Sequence, residues 1–364
     1  MRSLHRKVLV WWYLKWYNPS TMNGGKRALI TGITGQDGSY LAEFLLKKGY
    51  QVFGLVRRLS VDPLSRIEKL SLNRKIKIIY GDIRDLSSII KVLDESKPDE
   101  IYNLASQSHV GLSFDLEEET MEINYYMVDK LVREATKRNP KVRIYQASSS
   151  EMFGNPSSSP QNELTKFNPI SPYAKSKVKA YEDVIIKMRD KNNFFLCSGI
   201  LFNHESPRRG KQFVTKKITH SMCKIKLGLQ DCFELGNIDV KKDWGYAKDY
   251  VEAMWLMLQQ KKPQDFVIAT GKNYSVRDFI NRVAHELDMP ITWCGKGLGE
   301  FAKDSNGRII IKINPEYYRP HDVINVIGDP TKARKILGWK SKVSFNGLVK
   351  IMVKSDLDEL KKFL

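Results

Sequence analysis

Between residues 147 and 177 the chain carries a short run, Ser148-Ser149-Ser150-Glu151. After a loop rich in Pro, Ser and Asn come Tyr173 and, four residues later, Lys177. Such a set could do proton chemistry. The ammonium of Lys177 would favour the tyrosinate and make Tyr173 a base near neutral pH, while Ser149 could hydrogen-bond the same substrate hydroxyl. Glu151 adds a carboxylate able to take a second proton from carbon. Tyr-x-x-x-Lys places its two members one turn apart on one helix face. A lone match of that pattern is common by chance, so the surrounding elements decide its weight.

Those elements alternate. Residues 27–31 form a short apolar run that enters a glycine cluster, Gly32, Gly35 and Gly38, and residues 40–48 follow at helical spacing. This reads as strand, tight loop, helix. Further strands are expected at 52–56, 76–80, 100–104, 142–147 and 194–201. Helices are expected to end near residue 96, to cover 120–137, and to run from near Tyr173 through 183–189. The alternation predicts an α/β fold with a Rossmann-type, doubly wound parallel sheet and ligands at the carboxyl ends of its strands. From residue 203 the elements shorten, and Gly, Pro and aromatics become more frequent. We therefore expect a ligand-binding Rossmann domain over 26–202 and, over 203–364, mainly a smaller mixed α/β substrate-binding domain. Helices are expected there at 249–258 and 276–287, with 265–269 returning to the first sheet.

Gly32-x-x-Gly35-x-x-Gly38 departs from the G-x-G-x-x-G dinucleotide signature, and alone it would be weak. Its place between first strand and first helix strengthens it. There the segment Gly32, Ile33, Thr34, Gly35, Gln36 and Asp37 can hold a pyrophosphate with backbone amides and the helix amino terminus. Close packing is the alternative role for the glycines. At the end of the second strand, a cofactor lacking a 2′-phosphate would usually meet a carboxylate. This chain offers Arg57 and Arg58. Two guanidinium groups suit a phosphate monoester, so NADP is expected over NAD. Asp82 and Ile83 would flank the adenine, and Leu104, Ala105, Ser106, Gln107 and Ser108 the second ribose and diphosphate.

Composition narrows the partners. With 364 residues, 42% of them hydrophobic and 28% charged, the chain suits one large globular domain plus a smaller one. A formal charge of +19 invites a nucleic-acid reading. No nucleic-acid motif accompanies it, and pairs such as Lys47-Lys48, Lys261-Lys262 and Lys361-Lys362 read as solvated helix faces. No nucleic-acid partner is expected, although the surplus would attract a polyanionic small substrate. Cys197, Cys223, Cys232 and Cys294 lack zinc-site spacing and read as reduced thiols of a cytoplasmic protein, so no metal is expected. Residues 1–25 read as an extension outside the fold. Their apolar run, 8–14, is flanked by Arg2, Arg6, Lys7 and Lys15. It is too short to span a bilayer and has no small-residue cleavage site after it. An interfacial anchor is the alternative, but Met22 stands just before the first strand, and no membrane partner is expected.

The glycine loop, the serine-ended strand and the Tyr/Lys pair together are identified as those of an extended short-chain dehydrogenase/reductase. The chain further resembles the GDP-mannose 4,6-dehydratase family. The resemblance rests on GITGQDGSYLAEFLLKKGY (32–50), NLASQSHV (103–110), ILFNHESPRRG (200–210), LGN (235–237), DWGYAKDYVEAMWLML (243–258), DFVIATG (265–271) and YYRP (317–320), and covers roughly residues 26–353. FNHESPRRG is the most specific of these. The resemblance implies conversion of GDP-α-D-mannose to GDP-4-dehydro-6-deoxy-D-mannose by internal hydride transfer through bound NADP, a first step toward GDP-fucose or GDP-rhamnose. Hydride would leave sugar carbon 4 while Tyr173 takes the hydroxyl proton. The ketone would acidify carbon 5, and Glu151 would remove that proton and protonate the carbon-6 hydroxyl as it leaves as water. Hydride would then return at carbon 6.

By the same resemblance Lys177, His204 and Arg209 would contact NADP. Ser150, Asn203, Val214, Lys217, Gly236, Lys242 and Arg319 would line the GDP-sugar site, and the chain would form a homodimer or homotetramer. His204 could instead be structural, and Arg208-Arg209 could hold subunits together around the cofactor phosphate. Trp244, Trp255 and Met257 read as core. The chain departs from the family at Ser149, where threonine is usual and serine is common in related 4-keto-6-deoxy-sugar reductases. It departs again at Lys242, which replaces an arginine's bidentate contact by a point charge. The third departure is Glu119, where a tyrosine near the cofactor is frequent. Two alternatives stay open: a GDP-4-keto-6-deoxy-mannose reductase or bifunctional dehydratase/reductase, and a non-catalytic NADP- or nucleic-acid-binding protein.

Overall fold

Ala28, Leu29, Ile30 and Thr31 are all fully buried, as a strand covered on both faces must be. They belong to β1 (Arg27–Thr31), followed by α1 (Gln36–Lys47), β2 (Gln51–Val56), β3 (Ile76–Tyr80), α2 (Leu86–Ser96), β4 (Glu100–Asn103), the helix α3 (117–138), β5 (Arg143–Ser149), the helix α4 (172–192) and β6 (Phe195–Leu201). The remainder comprises β7 (Asn203–Glu205), α5 (Val214–Lys226), β8 (Phe233–Leu235), β9 (Lys241–Lys242), β10 (Trp244–Tyr246), α6 (Ala247–Leu258), β11 (Phe266–Ile268), β12 (Tyr274–Ser275), α7 (Val276–Glu286), β13 (Ile291–Cys294), β14 (Phe301–Asp304), β15 (Ile309–Ile313) and α8 (Phe345–Leu360). This computed structural model describes residues 25–60, 64–68, 75–156, 158–318 and 326–364. Residues 1–24 of the amino-terminal extension, and Arg319, lie outside the described residues.

The central sheet has the order β11-β6-β5-β4-β1-β2-β3, and every pairing in it is parallel. The Rossmann-type fold expected from the strand–helix alternation is therefore present. One face packs α1 and α6 through Tyr40, Leu41, Leu45, Val251 and Met254, and the other packs α2, α3 and α4 through Val92, Leu93, Leu131, Val132 and Val184. β11 joins beside β6, as expected for 265–269. Asp265 anchors that return: its carboxylate accepts from both Arg189 guanidinium nitrogens (3.0 and 2.8 Å), from the Ser198 amide (2.8 Å) and from the Tyr181 hydroxyl (3.0 Å).

Capping explains several boundaries. Asp85 accepts from the Ser87 and Ser88 amides at the start of α2. Ser171 accepts from the Ala174 amide, with Pro172 first in α4. Two long helices carry a wider π-type turn, Glu122–Tyr126 in α3 and Ala180–Ile186 in α4.

The later segments build a second core. Ile218, Met222, Phe279, Ile280, Val349 and Met352 bring α5, α7 and α8 together against the four-stranded sheet β13-β14-β15-β8. A buried ion pair, Lys216 with Asp356, ties α5 to α8. Trp244 and Met257 are buried, as expected of core residues, whereas Trp255 is half-buried and donates its indole N–H to the Tyr50 hydroxyl at 3.0 Å. Among the described residues no helix is long and apolar enough to cross a membrane.

Candidate active site

The expected proton-handling residues gather at the carboxyl end of β5. That strand runs two residues beyond its expected end at 147. Ser148 and Ser149 pair with Ile200 and Leu201, and the Ser148 hydroxyl accepts from the Ser198 hydroxyl at 2.6 Å. The chain then turns sharply through Ser150–Phe153, with Ser149 Oγ accepting from the Glu151 amide at 3.2 Å. The same hydroxyl hydrogen-bonds Tyr173. Ser149 therefore links the phenol to the turn that carries Glu151, while Ser150 is buried beside them.

The proton affinities differ from the expected ones. Burial pushes the Tyr173 phenol up to about 12; the Ser149 hydrogen bond opposes this and the nearby Glu151 charge adds to it. Burial pushes Lys177 down to about 8. Its ammonium lies 5.8 Å from the Tyr173 ring centre and donates to the Ala147 carbonyl at 3.0 Å. Burial of the phenol thus acts against the lowering expected from the Lys177 charge, whose ammonium is itself desolvated.

Lys177 closes a chain of buried polar groups that the motifs did not reveal. Gln146 donates to the same Ala147 carbonyl (3.1 Å), Asn103 donates to Gln146 (2.7 Å), and Thr31 donates to Asn103 (2.6 Å). Thr31 Oγ1 in turn receives the Leu104 and Ala105 amides, both at 3.1 Å. Asn124 was also missed. It lies in the π-type turn of α3 and is fully buried. Its Oδ1 accepts from the Ser106 hydroxyl and the Gln107 amide, while its amide group donates to the Gln107 carbonyl and to Ser176 Oγ. One side chain thereby fixes the loop after β4 against the helix bearing Tyr173 and Lys177. A wider turn is the available signal for such a residue, and it is invisible in a one-dimensional pattern.

After β1, the geometry of the glycine loop fits a dinucleotide. Gly32 has φ +69°, and a Cβ there would stand 2.9 Å from the Ala105 nitrogen; a Cβ on Gly38 would stand 2.3 Å from the Gly32 carbonyl oxygen. Only glycine allows so close an approach. Ile33 is fully buried, and the Thr34 carbonyl accepts from Arg66 at 3.0 Å. No side chain caps the amino terminus of α1 at Gly35, which leaves its first-turn amides for an anionic ligand.

Gln36 and Asp37 face the FNHESPRRG segment. Gln36 donates to the His204 carbonyl (3.0 Å) and accepts from Ser206 (2.7 Å). Asp37 meets His204 Nε2 at 2.8 Å, and His204 Nδ1 lies 2.7 Å from the Phe202 carbonyl. Both ring nitrogens face acceptors only, so the ring carries two N–H groups and a positive charge. Burial would lower the His204 pKa, but the Asp37 charge and the two hydrogen bonds leave it raised. Burial would raise Asp37, and the His204 charge and hydrogen bond leave it lowered. The stabilisation is therefore lost as pH rises through the raised His204 value and also as pH falls through the lowered Asp37 value. Asp37→Asn is expected to lower the His204 pKa, read by NMR titration of its ring protons; an unchanged value would contradict the pairing.

The remaining expected residues divide between two regions. Arg57 and Arg58 are exposed just beyond β2. Asp82, beyond β3, holds Arg84 through both carboxylate oxygens, chiefly by these hydrogen bonds sits below the usual carboxylate range, and feels Arg57 nearby. Ile83 is half-buried, Ser108 is exposed, and Glu119 meets Arg84 at 3.6 Å. Asn203 and His204 form β7, which pairs with β10. Arg209 lies 3.2 Å from Glu205 and over the Phe213 ring, whereas Arg208 pairs with Glu43 at 2.8 Å within the same chain. Val214 opens α5. Lys217 stands 4.2 Å over the Tyr317 ring, and Gly236 abuts the Tyr317 carbonyl. Lys242 reaches Glu151 at 3.4 Å. Among the described residues no cluster of three His, Cys, Asp or Glu could hold a metal.

A family model described as GDP-mannose 4,6 dehydratase matches residues 29–352. The GDP-mannose 4,6 dehydratase of Drosophila melanogaster is 49% identical over 348 residues, covering 93% of this chain and 87% of that protein. Two solved structures share the fold. The Thermus thermophilus UDP-glucose 4-epimerase in complex with NAD has a TM-score of 0.75 at 21% identity, covering 91% of this chain and 98% of its own. RMD from Pseudomonas aeruginosa complexed with NADPH has a TM-score of 0.70 at 19% identity, covering 91% and 99%.

Proposed function

The chain belongs to the GDP-mannose 4,6-dehydratase family, and from that premise we propose that it removes water from GDP-mannose with the residues gathered at the end of β5. It is an enzyme of the lyase class, acting on a carbon–oxygen bond. The observation that carries the residue assignment is Ser149, whose hydroxyl serves both Tyr173 and the turn bearing Glu151. A simple dehydrogenase has no use for a carboxylate at that place.

The bound nicotinamide dinucleotide supplies a reversible hydride acceptor and, when oxidised, a positive ring. Ser149 orients the carbon-4 hydroxyl, and Tyr173 Oη, as the tyrosinate, takes its proton. Lys177, held by the Ala147 carbonyl, supplies the cation that makes this transfer feasible in a buried site. Once carbon 4 is a ketone, the adjacent carbon-5 hydrogen is acidic, and the Glu151 carboxylate takes it as a proton. The freed electron pair forms the carbon 5–carbon 6 double bond while the carbon-6 oxygen leaves, and Glu151 returns its proton to that oxygen. One water departs, the hydride taken from carbon 4 would be returned to carbon 6, and a proton equivalent to the one taken by Tyr173 is delivered to carbon 5, so no net oxidant is consumed. With substrate deuterated at carbon 4, the product should carry the label at carbon 6; label lost to solvent or to free cofactor would contradict the scheme.

We infer further that NADP is the preferred coenzyme. Arg57 and Arg58 at the end of β2, where a carboxylate would suit an unphosphorylated ribose, support this. Arg57→Ala should weaken NADP more than NAD, by about tenfold in the ratio of dissociation constants; an equal effect on both would remove the coenzyme argument. Two separate cores support a division into an NADP-binding and a GDP-sugar-binding part, the latter served by Asn203, Val214, Lys217, Gly236 and Lys242. Four free cysteines support a cytoplasmic location. Assembly as a homodimer or homotetramer rests on the family resemblance.

A further inference from the structure

Glu151 already has a cation beside it. Lys242 Nζ lies 3.4 Å from Glu151 Oε1, and the two side chains are 15% and 19% exposed. They are brought together from distant parts of the chain. Glu151 sits in the turn after β5, whereas Lys242 ends β9, which is pinned antiparallel to β12 through Tyr274. The separation is long for a charge-assisted hydrogen bond. Of the other cations expected at the sugar-nucleotide site, Arg319 lies outside the described residues, and Lys217 is occupied over the Tyr317 ring and attracted by Glu234.

A carboxylate oxygen engaged by an ammonium is not free to receive a proton from carbon until the two part. A diphosphate carries more negative charge than Glu151 and competes for the same ammonium. Lysine suits such an exchange, being a point charge on a flexible stem where arginine would bind through a rigid fork.

We propose that Lys242 is a positioning residue that changes partner: it holds Glu151 until a nucleoside diphosphate binds, then turns to the phosphates and leaves the carboxylate free to take the carbon-5 proton. The exchange rests on the reading of Glu151 as base and of Lys242 as part of the sugar-nucleotide site. It couples arrival of the diphosphate to release of the base.

The test is GDP affinity, measured by titration calorimetry on the full chain and on Glu151→Gln, Lys242→Gln and the double variant. Glu151→Gln should tighten GDP by about three- to tenfold, since Lys242 is no longer shared. In the Lys242→Gln background that gain should disappear, and in Lys242→Arg it should return. An equal gain in the wild-type and Lys242→Gln backgrounds would mean simple relief of repulsion between Glu151 and the phosphates, and would overturn the exchange. No gain at all would overturn it too. GDP has no sugar to react, so these outcomes are independent of catalysis. Failure of the base assignment would be recognised differently, as a Glu151→Gln enzyme that still removes water at the wild-type rate.

Discussion

Glu151→Gln is expected to lower the rate of water loss from GDP-mannose by roughly a thousandfold while the sugar nucleotide still binds. Glutamine keeps the shape of the side chain and removes its ability to take a proton from carbon 5. The turn should survive, because it is fixed by the Glu151 backbone amide on Ser149 Oγ and not by the carboxylate. Oxidation at carbon 4 uses Tyr173 and should persist, so the variant should form reduced cofactor on mixing with GDP-mannose without releasing a dehydrated product. Stopped-flow absorbance and product mass read the two steps separately. Wild-type turnover would refute the role of Glu151.

The second large effect is expected at Tyr173. Tyr173→Phe should cost about a hundredfold or more in rate, and here the first step itself should fail, with no reduced cofactor formed. The ring is packed, 8% exposed, and its backbone amide donates to Ser113 Oγ at 3.2 Å. Removing only the hydroxyl therefore leaves the helix in place. The loss frees the Ser149 hydroxyl from one partner, a structural cost of about 1 kcal/mol that unfolding measurements would detect as a small shift. A large loss of stability with retained turnover would point to a packing role alone.

The elements that carry these two residues are unequally legible in sequence. The parallel sheet was legible because its strands are short apolar runs closed by glycine or polar clusters, and β1 and β3 lie at the residues their pattern predicts. Helix starts were less so. α1 begins at Gln36 and not at residue 40, since its first turn is made of Gln36, Asp37 and Gly38, which carry no apolar period. The strand carrying Ser148 and Ser149 extends two residues beyond its apolar pattern because its pairing with β6 continues there.

Within the site, motifs supplied the residue types and the fold supplied their state. Tyr173 and Lys177 are plain in the Tyr-x-x-x-Lys spacing, but their proton affinities depend on burial that no spacing encodes. The Asp37–His204 pair joins two segments 167 residues apart, and Lys242 with Glu151 joins two 91 residues apart. Asn124 needed the wide turn of α3 to point it at the loop after β4. Each of these is a long-range contact set by packing, and each falls at or beside the chemistry.

The central claim is a redox-neutral loss of water, and it is tested most directly by giving the protein GDP-mannose with catalytic NADP and no NADPH. The account predicts a product one water lighter than the substrate, bearing a carbonyl at carbon 4, formed in large excess over the cofactor supplied. No keto product under these conditions, or one that appears only as added NADPH is consumed, would contradict it.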